Sequence, residues 1–197
     1  MNKIIFATGN QGKIREIKQI MADMDVEILS MKEAGIFMDI EENGTTFEEN
    51  ALIKARAIAK EAGALVLADD SGLEIDYLDK APGVLSARYL GEDTSYDVKN
   101  THILGLLKDV KGEDRSARFV CSIAAVFPDG REFTTYATIE GEIAHKIEGE
   151  NGFGYDPIFF VPEFGKTTAQ LSSEEKNKIS HRGKALTMMK EILNKEL

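Results

Sequence analysis

Apolar residues follow two rhythms along this chain, and the points where the rhythm changes set its layout. Residues 3–7, KIIFA, form a short apolar run suited to a buried strand. Ile14, Ile17, Met21 and Met24 then recur at helical spacing, so the chain opens as strand, loop TGNQG, helix. Residues 26–30 read as a second strand. Thr46 and Glu49 form a capping-box pattern ahead of a helix over 47–62, with Phe47, Ala51, Ala55, Ile58, Ala59 and Ala62 as its buried stripe. Residues 65–68 and 73–75 read as two short strands, which puts 69–72, DDSG, at a strand end. A helix is expected within 95–108, and 117–127 alternate as a long half-buried strand does. PDGR at 128–131 is a turn signal, so 132–139 should return antiparallel. Residues 141–147 are expected to continue that sheet, 149–154 to form a glycine-rich loop and 158–161 another strand. Ala185, Met188, Met189, Ile192 and Leu193 mark the buried face of a closing helix. Strand–helix alternation plus a long hairpin predicts an α/β fold around a mixed sheet. No repeat, low-complexity stretch or linker divides the chain, so 1–197 reads as a single domain.

Composition narrows the function classes. A chain of 197 residues buries roughly 70% of its unfolded surface, enough for a real core. With 43% hydrophobic and 29% charged residues it reads as a soluble globule. It shows no apolar stretch of about 18 residues and no basic leader before an apolar segment, so a cytoplasmic protein with no membrane partner is expected. Cys121 is the only cysteine, so a metal would have to be held by oxygen rather than by thiolates. The formal charge of -10 argues against a general nucleic-acid binder. It leaves room for a small phosphorylated ligand, provided a divalent cation sits between the carboxylates and the phosphates.

Four stretches could carry chemistry. Asp69 and Asp70 stand side by side, followed by Ser71 and Gly72, and clustered carboxylates raise one another's pKa unless a cation offsets the repulsion. They suit either a Mg²⁺ site or a solvated turn. ATGNQGK, 7–13, runs from a strand through a Gly-containing loop into a helix start, where backbone N–H groups and Lys13 could take a phosphate. It is not a Walker A loop, because Ile14 stands where Ser or Thr would reach the metal. GENGFGYDPIFF, 149–160, sets Phe153 and Tyr155 beside Asp156, either to stack on and orient a base or to fold back on the core. EEKNKISHR, 174–182, gathers Lys176, Lys178, His181 and Arg182 where a helix dipole favours acids, a mismatch with local preference. Glu41 and Glu42 lie in an acidic loop before the capped helix, and Cys121 reads as core.

Taken in order, TGNQGK (8–13), ENGTTFEENA (42–51), ADDSGL (68–73), APGVLSARY (81–89), FGYDPIF (153–159) and SHR (180–182) resemble the inosine triphosphate pyrophosphatase family. This is the Ham1 or RdgB-type group acting on non-standard purine nucleoside triphosphates. The resemblance spans nearly the whole chain. It implies an elongated, two-lobed α/β structure around a mixed sheet with flanking helices and a central substrate cleft, working as a homodimer. It also implies Mg²⁺-dependent hydrolysis of ITP, dITP and XTP to the monophosphate and pyrophosphate. Carried over by residue, Thr8, Gly9, Asn10, Gln11, Gly12 and Lys13 take the triphosphate. Glu41 and Asp70 hold the metal, and Ser71 contacts substrate beside it. Phe153, Gly154, Tyr155, Asp156, Lys176, His181 and Arg182 take the nucleoside and its base. Asp70 is the proton acceptor by resemblance; the residues themselves leave Asp69 or Asp70 as the base that deprotonates a water in line with the α-phosphorus. Donors such as Lys176 and Arg182 would pair with the carbonyl at position six of hypoxanthine or xanthine and face the amino group of adenine unfavourably. Guanine shares that carbonyl, so its exclusion must involve position two. One departure is Asn151, where the family commonly has Gly; Asn tolerates left-handed backbone angles, so the turn is expected to survive.

Other readings stay open from sequence. A Maf-type pyrophosphatase would cleave the same bond in other nucleotides. An aspartyl-phosphate phosphatase fits less well, because Asp69 and Asp70 are adjacent rather than one residue apart. A nucleotide-binding regulator would keep the pocket without turnover.

Overall fold

The computed structural model describes residues 2–197. Seven strands form one mixed sheet in the order β2-β1-β3-β4-β5-β6-β7. β1 (Asn2–Phe6) lies parallel to β2 (Val26–Ser30), with Ile4 opposite Ile28, and to β3 (Leu65–Ile75), with Ile5 opposite Val66. Parallel neighbours need crossover connections, and α1 (Gln11–Ile20) and α2 (Phe47–Ala62) supply them. β4 (Ser116–Val126) and β5 (Glu132–Ile143) follow, joined through the turn at Gly130. β6 (Phe159–Val161) is antiparallel to β5 and to β7 (Lys166–Thr167), a two-residue strand that the sequence pattern did not reveal.

The chain makes two compact units: residues up to Asp70 with Cys121–Ala137 and His181–Leu197, and Ser71–Val120 with Thr138–Ser180. In the first unit, β1 and β3 are buried on both faces, and strand alternation decides what each face meets. Ile4, Phe6, Leu65 and Leu67 share a core with Ile14 and Ile17 of α1 and with Ala185, Leu186, Met189 and Leu193 of α5 (His181–Glu196). Ile5, Ala7, Val66 and Ala68 share the opposite core with Ala51, Ala55, Ile58 and Ala59 of α2. Three alanines on that helix face let its backbone approach the sheet closely.

The second unit packs α3 (Tyr96–Leu106) through Ile103 against Leu73, Ile75, Phe119, Ile143 and Phe159. Arg115 is buried there, donating to the carbonyls of Leu107, Val110, Ile143 and Ala144, which otherwise would lose water without a partner. α4 (Ser173–Ile179) is a separate short helix with its own Ser172–Glu175 capping box, so Lys176 and Lys178 lie in its last turn, where the dipole favours cations, and the expected mismatch does not hold for them.

Expectations for β3, β4 and α5 also need correction. β3 is one continuous strand, so Asp69–Gly72 lie within it rather than at its end, beyond Leu67, where its pairing with β1 stops. β4 is half-buried only at its start; from Phe119 onward every residue is buried, because both faces are covered. On α5, Leu186 faces the core and Met188 is 39% exposed, a rotation that carries His181 and Arg182 inward. The α2 boundaries match, and its N-terminus is held as the capping pattern requires: Thr46 Oγ1 accepts from the Glu49 amide at 3.1 Å, and Glu49 Oε2 accepts from the Thr45 and Thr46 amides.

Thr46→Ala should lower folding stability by about 1 kcal/mol, the usual worth of an N-cap. Chemical denaturation at neutral pH checks this, and a change within error would mean that the Glu49 contacts carry the cap alone.

Candidate active site

The period of a strand governs the site. Because successive side chains point to opposite faces, Asp69 continues the Leu65, Leu67 face toward α1 and α5, and Asp70 continues the Val66, Ala68 face toward α2. Adjacent in sequence, the two carboxylates are separated by the sheet and meet different partners.

Asp69 is fully buried within an ionic cluster. Its Oδ2 takes Lys13 Nζ at 2.9 Å and Arg182 Nη2 at 3.1 Å, while Arg182 Nη1 pairs with the buried Glu16. The local cause is the β1–α1 turn: Ala7 N–H bonds to the Leu67 carbonyl, Asn10 caps α1 by accepting from the Lys13 amide, and Lys13 is thereby set on the first turn beside β3. Arg182 comes from the first turn of α5, whose Ala185 carbonyl accepts from Thr135 Oγ1 at 2.9 Å. Burial pushes the Asp69 carboxyl up, but Lys13, Arg182 and Lys54 outweigh it and hold it well below the ordinary carboxylate range. Burial likewise opposes the Arg182 charge, and Asp69 and Glu16 raise its pKa further above the usual value. Beneath them Cys121 is a buried thiol pushed up to about 12, by burial first and then by the Asp69 charge.

Asp70 meets α2 instead. Asn50 Nδ2 donates to its Oδ2 at 3.1 Å, and Lys54 Nζ stands 3.8 Å from its Oδ1 and 3.1 Å from Glu42 Oε2. Here burial raises the carboxyl pKa, Glu42 adds to the rise, and Lys54 and Lys13 do not cancel it. One carboxyl pKa is thus held below its ordinary value and its neighbour's is raised above it.

The second unit holds the base-loop residues. Asp156 Oδ2 accepts from the Phe153 amide at 2.8 Å and from Lys176 Nζ at 2.6 Å, and its Oδ1 accepts from Thr168 Oγ1 at 2.7 Å. Lys176 Nζ lies 4.9 Å from the centre of the Phe153 ring. The loop can close this tightly because Gly152 takes a φ of 74°, and a Cβ there would come within 2.2 Å of Asp156 Oδ2. Asn151 is not left-handed; it fastens the loop by donating from Nδ2 to the Leu171 carbonyl at 2.9 Å. Tyr155 OH donates to the Ser86 carbonyl at 2.7 Å, and Ser86 Oγ accepts from the Leu73 amide, so the APGVLSARY segment braces the loop. Ser71 is partly buried on β3 in this unit.

Of the residues singled out by sequence, the structure gathers Lys13, Asp69 and Arg182 in one cluster and Phe153, Asp156 and Lys176 in another. His181 is buried beside Arg182 in the chain. Thr8 is partly buried and accepts from the Asn10 amide, Gly9, Asn10 and Gln11 are exposed, and Gly12 is buried in α1. Gly154 is held through its carbonyl by Asn100 Nδ2. Glu41 is exposed, and the acidic contact with Lys54 belongs to Glu42. Four residues escaped the sequence reading: Glu16, Asn50, Lys54 and Thr168. A signal existed for two of them, since Asn50 and Lys54 are four apart, hence on one side of α2, and Asn50 interrupts an apolar stripe. Among the described residues no group of three or more His, Cys, Asp or Glu is arranged to hold a metal. Asp70 with the acidic loop before α2 is an oxygen donor set of the kind Mg²⁺ takes, one or two carboxylates with phosphate and water completing the shell.

A sequence profile of the Ham1 family matches residues 4–192. The chain belongs to that family. It is 48% identical to the dITP/XTP pyrophosphatase of Clostridium perfringens over 98% of each chain. Among solved structures, a HAM1 protein from Coxiella burnetii superposes with a TM-score of 0.89 at 42% identity, covering 99% of this chain and all of that one. The Ham1 protein of Staphylococcus aureus gives 0.88 at 44% identity over the full length of both.

The two carboxylates should behave oppositely on acidification. The folded pKa of Asp69 is depressed, so its stabilisation is present above its unfolded pKa and lost as pH falls toward the folded one; that of Asp70 is raised, so its charge costs stability at neutral pH and the cost lifts as pH falls through the folded value. Asp70→Asn should therefore unfold at the same temperature as the parent or higher at pH 7 while losing nearly all turnover, whereas Asp69→Asn should be destabilised by about 3 kcal/mol or more because it strands buried cations. Thermal melts of both variants check this, and an unstable Asp70→Asn would contradict the partner assignments.

Proposed function

We propose that this chain hydrolyses deaminated purine nucleoside triphosphates, dITP, XTP and ITP, to the monophosphate and pyrophosphate, with Asp70 as proton acceptor and Mg²⁺ as cofactor. The observation that carries the reading is the division of labour at Asp69–Asp70. A proton acceptor must be able to bind a proton and reach solvent; Asp69, fully buried and held by two cations, suits neither need. Asp70 has its pKa raised, chiefly by burial, and keeps a side chain that is 9% exposed. Asp69 then serves to fix Lys13 and Arg182 in place.

The α1 N-terminus and its loop, Thr8 to Lys13, present backbone N–H groups, the positive end of a helix dipole and an ammonium to the triphosphate. Lys54, which the sequence did not suggest, adds a second ammonium beside Asp70. Asp70 and Glu41 would hold the divalent cation, which would neutralise charge developing on the phosphate. Asp70 takes the proton of the water that attacks the α-phosphorus, and little else is demanded of the protein beyond positioning. Phe153 offers a ring face for the purine. The acceptor of that loop, Asp156, is already engaged by Thr168, Phe153 and Lys176, so what the loop offers a base edge is the donor Lys176. That fits the six-carbonyl of hypoxanthine and xanthine and disfavours the six-amino group of adenine. The family likeness also supports a cytoplasmic homodimer, and no helix among the described residues is long and apolar enough to cross a membrane.

Product analysis with ITP, dITP, XTP, GTP and ATP, each with and without Mg²⁺, tests the proposal. Monophosphate and pyrophosphate from the first three, only with metal and with at least about 100-fold preference over ATP, is the expected result. Orthophosphate release, or equal turnover of ATP, would overturn it.

A further inference from the structure

Asn50 is the least exposed polar residue of α2, with no measurable accessibility, and no step described so far uses it. It sits on the alanine-rich face that packs against the sheet, where a small apolar residue would be the simplest choice. Its amide is used at both ends. Oδ1 accepts from the Gly44 backbone N–H at 2.8 Å, and Nδ2 donates to Asp70 Oδ2 at 3.1 Å. The orientation is forced, because a backbone N–H can only donate and a carboxylate can only accept. Gly44 has no substitute there: a Cβ would come within 2.7 Å of Asn50 Oδ1 and 2.8 Å of Glu49 Cβ. One turn later on the same helix face, Lys54 reaches Glu42 of the same loop and the other oxygen of Asp70.

We infer that Asn50 is a positioning residue for the reaction: it fixes the rotamer of Asp70 and ties the acidic loop, 41–44, to that carboxylate. The inference rests on the reading of Asp70 as proton acceptor. The two carboxylate oxygens of Asp70 are addressed from one helix face, Oδ2 by a neutral donor and Oδ1 by a cation. Oδ2 is thereby held in a single direction by a bond that adds no charge. The capping box fixes the start of α2 one residue before Asn50, so the amide is delivered from a rigid turn and not from a free helix end. A carboxylate that must meet a water at hydrogen-bond distance loses about 100-fold in rate for a misplacement of about 1 Å.

Asn50→Asp keeps the acceptor for Gly44 and replaces the neutral donor to Asp70 with a second carboxylate, so it removes the bond and adds a like charge beside Asp70. The expected result with dITP is a kcat lowered about 100-fold with KM within about threefold of the parent, as loss of transition-state positioning requires. A kcat unchanged within about twofold in Asn50→Asp would overturn the inference, since neither the lost bond nor the added charge would then have reached the reaction. Should Asn50→Asp fail to fold, a second measurement decides. In the parent, the Asn50 side-chain amide protons, followed by NMR, should be protected from solvent exchange, and Asp70→Ala should shift their resonance and remove the protection. Unchanged protection in Asp70→Ala would overturn the inference whatever the kinetics. A parent enzyme inactive on every purine triphosphate would count against the proposed function, while this NMR comparison would still report on the Asn50–Asp70 bond.

Discussion

The two-residue period of β3 is the constraint on which the rest of this site depends. A pair of adjacent aspartates in a turn would share one environment and repel one another. In an extended strand buried on both faces they are placed in two environments, each with its own nearest partners, although Lys13 and Lys54 act on both. Asp69 receives its cations from the helices on one side, Lys13 from α1 and Arg182 from α5, and Asp70 receives an amide and a more distant ammonium from α2 on the other. Opposite protonation tendencies in neighbouring residues follow from geometry before any substrate is considered.

Such a buried ionic cluster is a poor source of stability, because the desolvation of three or four charges consumes most of what their attraction returns. Its value lies in definition. Asp69 cannot rotate without breaking two ion pairs, and Lys13 and Arg182 are bound to the same oxygen, so a strand and two helices are brought into one register. The parallel β1–α1–β2 opening makes this possible: the loop after β1 must turn at the edge of β3, and the first helical turn then projects Lys13 at the strand.

Much of the fold was legible in the chain because its signals are local. The capping box and apolar stripe of α2 gave both ends of that helix, and the β2 and β1 runs were read within a residue or two. What failed were judgements that depend on a neighbour not visible in the local pattern. DDSG carries turn chemistry, yet it runs extended within the eleven residues of β3; β4 looks half-buried until both of its faces are seen to be covered. The site shows the same divide. Lys13, Asp69, Asp70, Asp156, Lys176 and Arg182 drew notice in the sequence as charged residues in motif-like stretches, and each has a charged or polar partner in the structure. Glu16, Asn50, Lys54 and Thr168 were not, since each looks like an ordinary helix or loop residue until its partner arrives from elsewhere in the chain.

The alanine face of α2 has a meaning beyond packing. Asn is the shortest side chain with both an amide donor and an acceptor, so Asn50 can reach Asp70 only if the helix lies close to the sheet, and Ala51, Ala55 and Ala59 set that distance. An added methylene at one of these positions need not unfold the protein, because cores often absorb such changes by small shifts of a helix. The same shift is comparable to the tolerance of a hydrogen bond. Helix α2 therefore acts as a spacer whose thickness is written in alanine, and substitutions there would be felt at the Asn50–Asp70 hydrogen bond as well as in the core.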